Sequence, residues 1–165
     1  MSFYSFLRSL LFLLDPEIAH RITINYLKTV SSKKPESYNV LRSNVFGLNF
    51  PNPVGIAAGF DKNAEVAENL INLGFGFSEV GTVTPNPQPG NPKPRIFRLK
   101  DDEAIINRLG FNSDGFDQVK TRLGKINDSI VGVNIGANKD SKDFSEDYIK
   151  GIKFFSTLAS YITIN

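Results

Sequence analysis

The N-terminal part of the chain carries apolar side chains at helical spacing in two successive segments. Residues 3–14 (FYSFLRSLLFLL) form the most apolar run of the sequence. Asp15 as N-cap, Pro16 in the first turn and Glu17 near the positive end of the helix dipole then predict a second helix. Its apolar stripe consists of Ile18, Ile22, Tyr26, Leu27 and Val30. The pattern predicts an amphipathic helical hairpin, followed by a linker at residues 31–37.

The apolar run at residues 3–14 allows two interpretations. Its twelve residues are too few for a membrane-spanning helix, which needs about 20. No basic residue precedes the run and no small-x-small pattern follows it, which argues against a signal peptide. Basic residues beside the hairpin suit a position in a membrane interface, whereas the plainer alternative is a hairpin that packs on its own domain. The residue pattern alone favours neither.

From residue 44 onward, short apolar runs alternate with helical patterns. Four runs are typical of strands, at residues 54–58, Phe77–Val83, 130–135 and Tyr161–Ile164. Helices are predicted between them, near residues 65–74, 114–125 and 143–158, the last with a capping box of Asp143 and Glu146. A hairpin centred on Gly47 and a short strand at residues 95–99, inside a proline-rich loop, complete the pattern. The alternation predicts parallel βα units, either half of an eight-stranded barrel or an open doubly wound sheet.

Composition narrows the chemistry that the chain can perform. The 165 residues contain no cysteine, one histidine and a net charge of +2. The absence of cysteine excludes disulfides, thiolate catalysis and cysteine-ligated metals. A single histidine, His20, makes histidine-based metal sites and Ser-His-Asp chemistry poor candidates, so no metal ligands are predicted. The small net charge gives no reason to expect nucleic-acid binding.

Polar side chains recur where the predicted strands end. The first strand runs into a turn at residues 57–63, where Lys62 offers a cation for a carboxylate or phosphate. Its glycine spacing matches neither a P-loop nor GxGxxG, and a tight turn with a surface lysine is the plainer alternative. Thr82, Asn134 and Asn165 lie at the ends of the other three strands. Buried side-chain amides need hydrogen-bond partners, so the two asparagines predict a site for a small polar ligand at this edge.

Six blocks of the sequence resemble the quinone-dependent, membrane-associated (class 2) dihydroorotate dehydrogenases, and together they cover essentially the whole chain. The blocks are DPExAH from Asp15, NPxGxAAGxDK from Asn52, GTVTP from Gly81, QPGNPKPR from Gln88, INRxGFN from Ile106 and NIGxNK from Asn134. The helical hairpin is the feature that separates this class from its soluble relatives. The resemblance therefore favours the membrane interpretation of the N-terminal segment.

The resemblance implies a (β/α)8 TIM barrel that contains FMN and oxidises dihydroorotate to orotate in pyrimidine biosynthesis. A membrane quinone would then reoxidise the flavin. Residues 38–165 would supply the first four β/α units of the barrel. Residues 1–37 would be a helical extension and linker that associates with the membrane and forms a tunnel for the quinone tail. The implied location is peripheral, on the cytoplasmic side of the cell membrane.

The resemblance also implies roles for individual residues. The residues expected to bind FMN are Ala58, Gly59, Phe60, Asp61, Lys62, Thr82, Asn134 and Asn165. Those expected to bind the substrate are Lys62, Asn107, Arg108, Leu109, Gly110, Phe111 and Asn165. The substrate is an anionic cyclic diamide, and one lysine with several side-chain amides matches that chemistry.

The family's catalytic base is expected beyond the last residue of this sequence. In class 2 enzymes the fourth strand runs into Asn-x-Ser-Ser-Pro-Asn, whose second serine is the base, and the sequence ends at the first of these asparagines, Asn165. No catalytic residue is therefore expected within the chain, and the 165 residues alone are not expected to turn over dihydroorotate. They would be part of an enzyme, one half of a split enzyme completed by another chain, or a non-catalytic membrane-associated remnant.

Overall fold

The N-terminal residues form the predicted helical hairpin. The computed structural model describes residues 3–30, 36, 38–126 and 128–165, and side chains from residue 7 onward. Helix α1 spans Phe3–Leu13 and α2 spans Pro16–Thr29. The Asp15 carboxylate accepts hydrogen bonds from the backbone N–H groups of Glu17 and Ile18, at 2.9 and 3.2 Å, which confirms it as the N-cap. Of the linker predicted at residues 31–37, the structure describes Glu36, and the other six residues lie outside the described part of the chain.

The remaining elements alternate as the sequence predicts. After a 3-10 turn at Asn39–Leu41, they are β1 (Ser43–Val45), β2 (Leu48–Phe50), β3 (Gly55–Ile56), α3 (Ala67–Asn72), β4 (Phe77–Val83), β5 (Ile96–Leu99), β6 (Ala104–Asn107), α4 (Phe116–Leu123), β7 (Val131–Ile135), α5 (Phe144–Phe155) and β8 (Tyr161–Ile164). Among the described residues, no helix has the length and apolar character required to cross a bilayer.

Two antiparallel hairpins accompany the main sheet. Strands β1 and β2 pair as predicted around Gly47. Strand β5 pairs with β6, which the sequence did not predict. The sequence of β6, AIIN, does not alternate between apolar and polar residues, and all four residues are exposed. It therefore lacks the pattern that identifies a half-buried strand. Strand β3 is shorter than the predicted run, because the chain turns away after Ile56.

Strands β3, β4, β7 and β8 form one parallel sheet in that order. Each strand lies beside its predecessor in the chain, without the reversal of order that a doubly wound sheet requires. The sheet therefore has the arrangement of half of an eight-stranded βα barrel. The predicted fold class is confirmed in preference to the doubly wound alternative.

The outer face of the sheet packs against the helices. Its core contains Val80, Val83, Val131, Val133 and Ile135 from the strands, with Phe116, Val119, Leu123 and Phe155 from α4 and α5. A second cluster joins Ile24 and Leu27 of α2 to Val66 and Leu70, at and within α3. Helix α2 thus packs on the barrel with one side, while Ile18, Ile22 and Tyr26 of the predicted stripe remain exposed.

The inner face of the sheet combines aromatic and polar side chains. Phe50 packs edge-to-face on Phe77 with ring centroids 5.3 Å apart, and Phe77 lies 6.5 Å from Tyr161. Tyr161 crosses Gly132, where any Cβ atom would overlap its ring. These aromatic residues fill the end of the half barrel at which the strands begin.

We expect Ser78→Ala to stabilise the protein, because the Ser78 hydroxyl is fully buried and has no hydrogen-bond partner among the described residues. Removing an unsatisfied buried hydroxyl should raise the free energy of unfolding by about 1 kcal/mol. Urea denaturation measures the change. The control is Ser113→Ala, because the Ser113 hydroxyl accepts hydrogen bonds from the N–H groups of Thr84 and Gly115. Equal destabilisation by both substitutions would contradict the prediction.

Candidate functional site

The turn after β3 extends the edge of the sheet towards β4. The Gly59 N–H donates to the Gly81 carbonyl at 2.8 Å, and the Gly81 N–H donates to the Asp61 carbonyl at 3.2 Å. Gly59 has φ of +105°, a conformation that favours glycine,. A Cβ atom at this position would have no neighbour within 4 Å. The backbone at Gly59 therefore faces open space into which a flat ligand could be placed.

The side chain of Asp61 is used by the protein itself. It is only 1% exposed, and its two carboxylate oxygens accept hydrogen bonds from the N–H groups of Glu65 and Val66, both at 2.8 Å. Burial raises the pKa of Asp61, and these hydrogen bonds oppose the rise. The carboxylate therefore fixes the turn that leads into α3. Of the residues expected to bind FMN, Asp61 has a side chain that is not available to a ligand in this arrangement.

Lys62 lies at the end of the same turn. Its Nζ donates to the Gly59 carbonyl at 2.5 Å. Burial lowers the pKa of Lys62, while the nearby carboxylate of Glu17 opposes that effect. The ammonium group is thus held close to the open backbone of Gly59.

Thr82, Asn134 and Asn165 form a hydrogen-bonded cluster, which we call the amide cluster. The Thr82 hydroxyl donates to Asn134 Oδ1 at 2.7 Å. Asn165 Nδ2 donates to Thr82 Oγ1 at 2.8 Å and to Asn134 Oδ1 at 3.0 Å. The three residues come from neighbouring strands and meet at the edge where these strands end. The structure thus brings together three side chains that the sequence places at the ends of predicted strands.

The segment from Asn107 to Phe111 is divided between two surroundings. Asn107 and Leu109 line a cavity beside Lys62. The Phe111 ring lies 3.5 Å from the position that a Cβ atom would take at Gly136, and so close to the amide cluster. Arg108 instead donates to the Pro94 carbonyl at 3.1 Å and stacks over Phe97.

Gly110 and Phe111 of this segment are held through their main chain. Gln88 Nε2 donates to both of their carbonyls, at 3.3 and 3.0 Å. The segment expected to bind substrate is therefore fastened to the proline-rich loop. Of its side chains, Asn107, Leu109 and Phe111 lie by the cavity or the amide cluster, and Arg108 does not.

A cavity of about 840 Å³ lies between the helical hairpin, the turn after β3 and the β5–β6 hairpin. Its walls include Phe12 and Ile18 on the hairpin side and Lys62 and Asn107 on the barrel side. Among the three cavities described, it is the one that contains residues of the expected site. Both sides of the cavity carry apolar and polar side chains, such as Phe12 and Glu17 on the hairpin and Ile105 and Asn107 on β6.

Arginine side chains fasten the hairpin over this cavity. Arg95 forms a two-point ion pair with Glu17, at 2.8 and 2.9 Å, which holds the pKa of Glu17 below its usual range. Arg98 Nη1 donates to the carbonyls of Phe12 and Leu14 at the end of α1. The residue pattern predicted a helix-dipole role for Glu17 and no role for Arg98, because contacts between distant segments leave no local pattern in the sequence.

His20 connects α2 to the turn after β3. Its Nε2 lies 2.6 Å from the Phe60 carbonyl, and its ring packs edge-to-face on that of Phe60. The short contact identifies Nε2 as the protonated nitrogen of the neutral ring. Burial is the main cause that lowers the pKa of His20 below its ordinary value of 6.5. The residue pattern did not indicate this contact, because His20 and Phe60 lie 40 positions apart in the chain.

We expect stability to fall as the pH drops below about 6.5, where the unfolded chain begins to protonate His20. The folded protein resists protonation because its pKa for His20 is lowered, so the unfolded state binds more protons,. Thermal denaturation between pH 7 and 5 measures this loss. His20→Gln keeps a donor for the Phe60 carbonyl but does not titrate, so its loss over this range should be smaller. Equal pH dependence in both proteins would refute the assignment.

Comparisons with known proteins agree on one family. The family model for dihydroorotate dehydrogenase matches residues 40–165. Dihydroorotate dehydrogenase (quinone) from Bradyrhizobium sp. (strain ORS 278) is 58% identical over an alignment of 155 residues that covers 92% of this chain and 43% of the relative. The enzyme of the same name from Rhodopseudomonas palustris (strain HaA2) is 56% identical over 167 residues, covering 99% of this chain and 46% of the relative.

Solved structures show the same similarity. The crystal structure of DHODH in complex with ferulenol from Eimeria tenella superposes with a TM-score of 0.86 at 45% identity, over 94% of this chain and 46% of that one. The chain thus spans less than half the length of the relatives it matches. With the family model, the sequence identity and the fold in agreement, the chain belongs to the dihydroorotate dehydrogenase family.

Proposed function

We propose that the open edge of the sheet binds FMN and dihydroorotate, and that the protein oxidises dihydroorotate to orotate in pyrimidine biosynthesis with a membrane quinone as acceptor. The observation that carries this proposal is the amide cluster, which lies on the same sheet edge as Lys62 and the open backbone of Gly59. The proposed reaction is the one for which the family is named. The proposed quinone acceptor is taken from the names of the relatives.

The residues present fit a flavin. A flavin ring needs an open, flat approach on one side and hydrogen-bonding groups along its polar edge. Gly59 leaves the approach free, and the amide cluster supplies donors and acceptors at the ends of three strands. We propose that Ala58, Gly59, Phe60, Lys62, Thr82, Asn134 and Asn165 hold FMN, and that Asp61 contributes by fixing their turn. Bound FMN would supply the hydride acceptor.

The same edge fits the substrate that the family implies. Lys62 offers its ammonium group to the substrate carboxylate, and Asn107 and Asn165 offer amides to the ring amides of the substrate. The main chain of Gly110 and the ring of Phe111 would complete the wall of the pocket. Leu109 would exclude water from it, and Arg108 would act by holding the segment in place.

Features of the helical hairpin are consistent with the proposed use of a membrane quinone as acceptor. The cavity beneath it is lined by apolar side chains of α1 and α2 and reaches Lys62. Other apolar residues of the hairpin lie outside the cavity and are exposed, among them Leu10, Leu13, Leu14 and Ile22. We propose that residues 1–37 dock on the cytoplasmic face of the cell membrane as a peripheral unit and admit the quinone tail, while residues 38–165 form the FMN-binding unit.

Completion of the barrel belongs to the same proposal. Within the described residues, β3 pairs only with β4 and β8 pairs only with β7, so each leaves one edge free. Strands that complete an eight-stranded barrel would cover both edges. They would come from further sequence in the same protein or from a complementing chain, and the catalytic base would come with them. A chain that never meets such strands would be a non-catalytic, membrane-associated remnant.

We expect Lys62→Met to weaken orotate binding, because it removes the cation that pairs with the carboxylate. The test protein is the barrel fusion, in which residues 1–165 replace the segment of the Bradyrhizobium relative that they match. Loss of a charge-assisted contact should raise the dissociation constant by about tenfold to a hundredfold. Orotate titration followed by flavin absorbance measures it.

The control for this experiment is Lys150→Met, because Lys150 is exposed on α5 and pairs with Glu146 at 3.1 Å. It should leave orotate binding unchanged. Folded barrel fusion without bound FMN would refute the proposed function itself. Equal orotate affinity in the Lys62 and Lys150 variants would refute the role of Lys62.

We expect Leu13→Glu to reduce membrane binding, because Leu13 is 81% exposed on the hairpin. Loss of one leucine from the apolar contact should lower partitioning by about tenfold or more. Cosedimentation of the barrel fusion with vesicles containing one part anionic to about two parts neutral lipid measures it. Phe46→Glu is the control, because Phe46 is fully exposed in the turn between β1 and β2, outside the helical hairpin of α1 and α2. Equal loss in both variants would contradict the proposed docking surface.

A further inference from the structure

Glu79 is a carboxylate on the inner face of the sheet, directly below the amide cluster. Its Oε1 accepts a hydrogen bond from Asn134 Nδ2 at 3.0 Å. Its Oε2 accepts one from the Thr163 hydroxyl at 3.0 Å. Burial and the nearby negative charge of Glu79 raise the pKa of the Tyr161 hydroxyl. Both oxygens of Glu79 are therefore engaged by donors from β7 and β8.

The direction of the hydrogen bond from Asn134 is fixed by the chemistry of its acceptor. An ionised carboxylate has no proton to donate, so it can only accept. The amide of Asn134 must therefore turn its NH2 group towards Glu79. Its carbonyl oxygen then faces the opposite way, towards Thr82 and Asn165, where it accepts from both.

This direction is transmitted through the rest of the cluster. Because Asn134 Oδ1 can only accept, the Thr82 hydroxyl must use its proton for it. The lone pairs of Thr82 Oγ1 are then free to accept from Asn165 Nδ2. Asn165 consequently turns its NH2 group towards the other two residues, and its carbonyl oxygen points away from them. One carboxylate thus determines which atoms the whole cluster presents.

We infer that Glu79 is a positioning residue that sets the donor and acceptor directions of the amide cluster, and through them the groups offered to the flavin and substrate. This inference rests on the proposed function for its ligands. The orientation of the cluster itself is a property of the folded chain. It can therefore be tested without FMN.

An alternative role for Glu79 is electrostatic, in which its negative charge alone acts on the ligand. Two substitutions separate the roles. Glu79→Gln removes the charge but keeps the length, and its carbonyl can accept from Asn134 while its amide donates to Thr163. Glu79→Asp keeps the charge but is one methylene shorter and cannot reach Asn134 in the same way. Thr163→Val is the matched control, since it removes the other donor to Glu79 and leaves the contact with Asn134.

The experiment measures two quantities in the barrel fusion. The first is the FMN dissociation constant, from flavin fluorescence. The second is the side-chain amide resonance of Asn134 in the apoprotein, from selective ¹⁵N labelling of asparagine. We expect Glu79→Gln and Thr163→Val to bind FMN within about threefold of the unmodified fusion and to keep the Asn134 resonance. Glu79→Asp should weaken FMN binding by about tenfold, the usual cost of one unpaired buried group, and shift the resonance.

Three results would overturn the inference. If Glu79→Asp binds FMN normally and Glu79→Gln does not, the charge of Glu79 is what matters. If all variants bind FMN alike and keep the Asn134 resonance, Glu79 does not position the cluster. If Glu79→Asp only lowers the melting temperature, its role is structural. Failure of the unmodified fusion to bind FMN refutes the proposed function instead, and the Asn134 resonance still decides the orientation.

Discussion

The parallel pairing of β4 with β7 determines the position of most other elements. Val80 lies opposite Val133, and both side chains belong to the core beneath the helices. Glu79 lies opposite Gly132 on the inner face, where the absence of a side chain leaves room for the Tyr161 ring. Both faces of a parallel sheet must be covered, and here helices cover one and a layer of aromatic and polar side chains lines the other.

A change of register in this pairing accompanies the amide cluster. The partners shift between Gly81 and Val83. By strict alternation with Ser78 and Val80, Thr82 would point towards the helices. The irregularity instead brings its hydroxyl to the inner side, within 2.7 Å of Asn134. Irregular pairing beside functional residues is a recurrent feature of sheets.

Polar residues at the carboxyl ends of the strands could be located from the sequence, whereas those earlier in the strands could not. Thr82, Asn134 and Asn165 lie at the carboxyl ends of parallel strands, where functional groups gather, and this position predicted a polar site at that edge. Glu79 escaped notice because the run Phe77–Val83 was interpreted as an ordinary strand, and one acidic residue in it gave no reason to expect a polar inner face. The ion pair between Arg95 and Glu17 joins residues 78 positions apart, which no local pattern indicates.

The contact of Lys62 with its own loop has a consequence for ligand binding. An ammonium group has three donors, and the Gly59 carbonyl uses one of them,. The other two donors are available to a ligand, which can bind without breaking that contact. Immobilising a long side chain usually costs about 0.5–1.5 kcal/mol on binding. Here folding has already restricted the lysine, so an anion that enters the edge meets a preorganised cation.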